Sequence, residues 1–270
     1  MGQVAFGQMP KKTPALQVTV PRHPKSSWGE LVLGMTVTPK GEVFVVGGRG
    51  KNFLLHSADG SRFKTLRMSK ADLGGARGLR TVSARGREIW ISGEWGHIAR
   101  SVNGGRTFKS VTTPTRNCCW SLVHDRDGSV WGTADNGWVG YCTDNKSWRP
   151  VSRGIPCSDD ETWKNTYGMP GGIAWAEPSP LGVLLPAGNR LLIGNEADAV
   201  LTGLEPKGKL SNAIVTRNGS LVAVGHDGVY RSTDRGETFQ ESDTNAKGRA
   251  RRHPVLHRIR QLKDLLIVTG

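Results

Sequence analysis

The chain has 270 residues, and its 36 glycines are about twice the usual share, while no long Glu/Lys/Leu-rich amphipathic run occurs, which excludes a helical bundle. At 36% hydrophobic and 22% charged it can bury a core, which excludes general disorder, and no stretch reaches the roughly 18 apolar residues of a membrane-spanning helix. Lys and Arg number 37 against 23 Asp and Glu, a net charge of +14 that points to an anionic partner or surface.

Taken in chain order, the opening residues lack the basic stretch and apolar core of a secretory signal, so a cytoplasmic location is the default expectation. Residues 2–6 and 15–20 read as two short strands. Six pairs of short apolar runs follow, at 35–37 with 42–47, 79–82 with 88–93, 120–123 with 129–132, 173–175 with 183–186, 213–215 with 220–225, and 256–259 with 264–270. A Gly-containing turn precedes most of the second runs. Such evenly spaced short strands with turn residues between them suggest the blades of a propeller. Cys118, Cys119, Cys142 and Cys157 form no C-x-x-C pair and read as free thiols.

A second repeat lies after the strand pairs. Ser232, Asp234, Gly236, Thr238 and Phe239 spell S-x-D-x-G-x-T-F, and Ser101, Asn103, Gly105, Thr107 and Phe108 spell the same pattern with Asn for Asp. Two shorter relatives, with Ser57, Asp59 and Phe63 and with Asp144 and Trp148, lack one residue before the aromatic. The aromatics at 63, 108, 148 and 239 are separated by 45, 40 and 91 residues, so one repeat of about 45 carries a degenerate motif. The chemistry is local: an Asp or Asn oxygen accepts backbone N–H groups across a tight turn, Gly supplies positive φ, and the Ser and Thr hydroxyls close further bonds. The aromatic is expected to pack between neighbouring sheets.

These segments resemble the Asp-box (BNR) repeat of sialidases, sortilin-type receptors, some glycoside hydrolases and photosystem assembly factors. The resemblance agrees with the strand spacing in implying an all-β, six-bladed β-propeller. The chain is expected to form a single domain, 1–270, whose last blade is a composite of 1–20 and 255–270. Two inner strands would come from the C-terminus and two outer strands from the N-terminus, leaving no open sheet edge.

In such a blade the box turn joins strands three and four on one face, and the resemblance implies function on the other. That face is expected to present Trp95, Trp120, Trp138, Trp163 and Tyr167 as aromatic contacts and Arg77, Arg80, Arg116 and Arg258 as anion contacts. Trp163 and Tyr167 sit on the long 152–172 connection, which has the length of a binding loop. The expected function is a non-catalytic binding or assembly module for a protein or glycan. The sialidase Arg-Ile-Pro motif is missing. A glycoside hydrolase using Asp159, Asp160 and Glu161, with Tyr167, is the enzymatic alternative. Nucleic-acid binding is the third reading, with an anionic partner at Lys247, Arg249, Arg251 and Arg252. No Gly-rich phosphate loop and no helical pair of histidines occurs, so neither cofactor nor metal is expected.

Overall fold

The structure is a computed structural model that describes residues 32–48, 52–68, 78–113, 118–134, 138–143, 147–150, 175–187, 189–195, 198–206, 209–226, 228–242, 258–262 and 265–269. Five four-stranded sheets follow one another along the chain. The first holds β1 (Val32–Val37), β2 (Val43–Gly47), β3 (Phe53–Ser57) and β4 (Lys64–Thr65). The second holds β5 (Leu79–Arg85), β6 (Glu88–Gly93), β7 (Ile98–Ser101) and β8 (Lys109–Val111). In the third are β9 (Cys119–His124), β10 (Val130–Ala134), β11 (Val139–Cys142) and β12 (Arg149–Pro150). The fourth comprises β13 (Glu177–Ser179), β14 (Gly182–Ala187), β15 (Arg190–Asn195) and β16 (Asp198–Leu201). The fifth comprises β17 (Leu210–Val215), β18 (Leu221–Gly225), β19 (Val229–Ser232) and β20 (Gln240–Ser242). A hairpin of β21 (Arg258–Leu262) and β22 (Leu265–Thr269) ends the described chain. Every pairing within a sheet is antiparallel between consecutive strands.

The second strand of each four-stranded sheet is buried along nearly its whole length. A strand covered on both faces reads as a continuous apolar run rather than an alternating one, which is why these strands stand out in the sequence. Trp90 on β6 and Trp131 on β10 are fully buried. The box aromatics fill the space between sheets: Phe108 joins Leu54, Leu79 and Ile89 in one cluster, and Trp148 meets Trp90 edge to face at 5.9 Å between centroids. A side-chain oxygen on one first strand repeatedly accepts an N–H from the next sheet. Ser83 Oγ takes the His124 N–H at 3.1 Å, Ser121 Oγ takes Ala176 at 3.0 Å, and Asn212 Oδ1 takes Ile259 at 3.1 Å. Buried amides at the sheet boundaries are thereby satisfied.

Three of the turns between first and second strands have the same build. Thr38 to Glu42, Asp125 to Ser129 and Thr216 to Ser220 each close with two backbone bonds, for example Thr216 N–H to Ser220 O at 2.8 Å and Gly219 N–H to Thr216 O at 2.9 Å. The fourth residue is glycine in each, Gly41, Gly128 and Gly219, at φ between +83° and +100°.

One expected strand is corrected. Among the described residues, pairing in the fourth sheet begins at Glu177 and leaves out Trp175 of the run expected at 173–175, whose first two residues lie outside the described residues. Trp175 is instead drawn sideways into a parallel bridge with Asn212, where its N–H donates to the Ser211 carbonyl at 2.9 Å. Of the strand expected at 256–259, residues 256 and 257 lie outside the described residues, and β21 holds Arg258 and Ile259 and continues to Leu262, which pairs with Leu265. The strands expected within 1–20 lie outside the described residues.

Residues from β1, β5, β9, β13, β17 and β21 line one cavity of about 770 Å³. The sheets thus stand side by side with their first strands inward. The first-to-second and third-to-fourth turns lie at one end, which we call the box face, and the second-to-third turns lie at the other.

Candidate functional site at the channel mouth

The box turns are tied by their own side chains. Ser232 Oγ donates to Asp234 Oδ1 at 2.7 Å and accepts the buried Gly236 N–H at 2.8 Å, and the Thr238 N–H donates to Asp234 Oδ1 at 3.0 Å. Ser101 and Asn103 repeat the arrangement toward Gly105 and Thr107. In the shorter turn, Ser57 Oγ accepts the Gly60 N–H and donates to Asp59. Hydrogen bonds from the Ser61 side chain and backbone, with another from Ser57, hold the Asp59 carboxyl at about 2. Those from Thr238 and Ser232 hold Asp234 well below the usual carboxylate range. Hydrogen bonds of this kind hold a hairpin.

At the opposite end, β-bulges recur at equivalent points of four first strands. The register shifts between Val32 and Gly34, between Leu79 and Thr81, between Cys119 and Ser121, and between Leu210 and Asn212. The extra residues are Leu33, Arg80, Trp120 and Ser211. A bulge unpairs one residue and re-aims its side chain. Here it brings two of the expected contacts together: the Arg80 guanidinium lies over the Trp120 ring, 4.9 Å from its centroid. Arg80 Nη2 also meets Glu94 Oε1 at 2.7 Å.

Glu94 opens a 3-10 turn, Glu94–Gly96, between β6 and β7. Its N–H donates to the Gly78 carbonyl at 3.2 Å, and the preceding Gly93 packs so closely that a Cβ there would lie 2.2 Å from the same oxygen. His226 N–H and Gly225 repeat this approach toward the Lys209 carbonyl. The turn therefore sits tight against the start of its own first strand, and it thrusts Trp95 outward at φ +63°. Trp95 is 72% exposed. A left-handed conformation costs a bulky residue of order 1–2 kcal/mol, and such outliers cluster at ligand sites.

Below this mouth the cavity wall combines apolar and charged groups. Met35 and Val37 are exposed to it. Arg260 Nη1 meets Glu177 Oε1 at 2.7 Å, and the same Glu177 oxygen accepts a bond from Asn212 Nδ2 at 3.3 Å. Ser83 Oγ lies 2.8 Å from His124 Nδ1, and His124 Nε2 lies 3.8 Å from Glu88 Oε2. Burial would raise the Glu88 carboxyl, but the nearby His124 and the hydrogen bonds from Trp90 and Arg100 overcome it and hold Glu88 at about 2. Among the described residues no three His, Cys, Asp or Glu side chains converge as a metal site requires.

Of the expected contacts, Arg80 and Trp120 come together, and Trp95 stands on the turn whose Glu94 binds Arg80. Trp138 is different: it is half-buried, tilted against Trp148 at 5.9 Å between centroids, and packed on the core of the third sheet. Gly140 makes room for its ring, since a Cβ there would lie 2.4 Å from Trp138 carbons. Arg258 opens β21. Arg77, Arg116, Asp144, Trp163 and Tyr167 lie outside the described residues, as do Asp159, Asp160, Glu161, Lys247, Arg249, Arg251 and Arg252. Sequence reasoning missed Glu177, His124 and Arg260 on the cavity wall. The signal that could have found them is alternation along the first strands, which a bulge at their start obscures.

No protein-family model matches the chain, and no curated protein matches it in sequence. Solved structures match in shape. Virginiamycin B lyase from Staphylococcus aureus aligns over 86% of this chain and 77% of its own, with TM-score 0.59 and 16% identity. A structure of YCF48 bound to D1 peptide aligns over 86% and 71%, with TM-score 0.57 and 14% identity. The chain has a β-propeller fold. The computationally designed Ika8 protein aligns as well, over 88% and 68%, with TM-score 0.57 and 9% identity. At such identities the likeness carries fold and not activity. No described helix of this propeller is long and apolar enough to cross a membrane.

Proposed function

We propose that the chain is a six-bladed Asp-box propeller, closed by strands from both ends, that acts as a non-catalytic binding or assembly module. Its ligand is an extended segment of a partner protein, held at the mouth formed by Trp95, Trp120 and Arg80. The observation that carries this reading is the exposed Trp95 on a left-handed backbone, on the turn whose Glu94 binds an arginine already set over an indole. Aromatic and Arg side chains of this kind dominate binding energy at protein interfaces. The YCF48 propeller, similar in fold, has been solved with a peptide bound. The acids of the hydrolase reading lie outside the described residues, so no geometry favours it.

Selection of peptides from a random display library, followed by titration through tryptophan fluorescence, tests the proposal. Trp95→Ala and Arg80→Ala should each weaken a selected peptide about tenfold or more, in the range expected of interface anchors. Peptides that bind both variants as tightly as the parent protein would remove the mouth from consideration.

A further inference from the structure

One seam between sheets differs from the others among the described residues. At three seams a side chain of a first strand packs on the preceding sheet: Val82 joins Phe44, Val46 and Leu54, Leu122 joins Trp90 and Ile98, and Ala213 joins Leu184 and Leu191. All three are buried, at 3% exposure or less. Their counterpart in the first sheet is Met35, which pairs with Val45 as Val82 pairs with Ile91 and Ala213 with Ala223. Met35 is 55% exposed, and Val37, two residues along the same side of β1, is 57% exposed.

The apolar side continues across the first sheet. Register places Val45 and Leu55 in line with Met35. Val45, Phe53 and Leu55 form a cluster of their own with Val43 and the box aromatic Phe63. The other side of the sheet, with Phe44, Val46 and Leu54, packs on the second sheet. A sheet with two apolar sides needs a neighbour on each.

At the other seams the same side is covered by an apolar residue at or just beyond the fourth strand of the preceding sheet. Leu66 and Met68, which follow β4, pack on the cluster that holds Ile89, Ile91, Ala99 and Phe108. Val111 ends β8 and packs on the core of the third sheet with Trp148. Leu204 lies beyond β16 and packs on that of the fifth with Leu221 and Tyr230. By register, Ile91 and Ala99 of the second sheet correspond to Val45 and Leu55 of the first. The face that receives Leu66 and Met68 therefore has its equivalent in the first sheet.

The chain before β1 carries a segment with the matching spacing and pattern. Leu66 and Met68 stand 13 and 11 positions before Leu79, while Val18 and Val20 stand 14 and 12 positions before Val32. Leu79 and Val32 are counterparts, each pairing with a glycine just ahead of a bulge. In a strand over residues 15–20, Leu16, Val18 and Val20 fall on one side and Ala15, Gln17 and Thr19 on the other. We propose that the apolar side of residues 15–20, which lie outside the described residues, docks on the outer face of the first sheet over Val45, Leu55 and Phe63. The inference rests on the closure by both ends proposed above and names the surface that closure uses. Residues 21–31 tether the segment directly to β1, which gives it a high effective concentration at the face of its own chain.

Hydrogen exchange of the full chain, followed at the amides of β2 and β3, tests the proposal. Combined replacement of Leu16, Val18 and Val20 by Ser should speed exchange in those strands about tenfold or more and leave β18 of the fifth sheet unchanged. Replacing Gln17 and Thr19 by Ser should leave β2 and β3 as they are. If the triple variant does not fold, Val18→Ala should give a smaller acceleration in the same strands. Three results would overturn the inference: exchange in β2 and β3 untouched by the apolar replacements, an equal effect from the polar pair, or protection that falls on dilution, which would assign the face to a second copy of the chain. The closure reading fails separately, when removal of residues 1–20 leaves exchange across 258–269 unchanged.

Discussion

Glu88 shows how much a single residue can hold in this protein. Its carboxylate accepts Trp90 Nε1 at 2.9 Å and Arg100 Nε at 2.6 Å, and it faces His124 of the next sheet. It therefore anchors a fully buried indole, a cation and an inter-sheet contact at once. Because its folded value is about 2 against an ordinary 4.5, ionised Glu88 stabilises the fold fully above about pH 4.5. That contribution is lost as pH falls through about 2. Glu88→Gln should accordingly lower the urea midpoint most above pH 4.5, and the gap from the parent protein should shrink as pH approaches 2. Equal gaps across that window would show that the charge itself contributes nothing. Trp95 and Arg235 make the complementary point. Their type could be read from the chain, but their positive φ, which marks them as functional candidates, follows from how each turn is closed.

Among elements, the first strands do most to decide where chemistry can occur. Their bulges aim Arg80 and Trp120 at the mouth, and their side-chain oxygens bind the next sheet. Asn212 carries the largest share of this bonding. It is fully buried, donates to the Trp175 carbonyl at 3.1 Å and to Glu177, and accepts from Ile259, so three sheets meet at one amide. Asn212→Ala leaves the buried Ile259 N–H without its acceptor, which should cost about 1–3 kcal/mol. Denaturant unfolding measures the loss, and hydrogen exchange should quicken at Ile259 before the second sheet responds. Second strands and box turns were legible in the sequence because their causes are local: burial on both faces makes a continuous apolar run, and the box bonds close within eight residues. The strand at Glu177 was not legible, since Trp175 is recruited by Asn212, a residue 37 positions away.

At the scale of the molecule, the ring must be closed or it exposes a sheet edge. Within the described residues β21 and β22 form a two-stranded hairpin, whose outer edge would invite pairing by another chain. In the proposed closure residues 1–20 cover that edge. Deleting them should speed amide exchange across 258–269 and promote self-association, while the second sheet keeps its protection. Unchanged exchange in the hairpin would remove the N-terminal strands from the closure.

The sequence by itself determined that the chain is a repeat of antiparallel β units about 45 residues long, with Gly-containing turns and box motifs at set places. Those features depend on neighbours a few residues away, and short-range bonds and strand burial leave the same imprint in every repeat. Only the tertiary structure decided which side chains meet. Arg80 and Trp120 meet beside the turn that carries Trp95, and Trp138 is withdrawn into a core. Contacts between sheets join residues about 40 positions apart, and a one-residue bulge changes the direction of every side chain it governs.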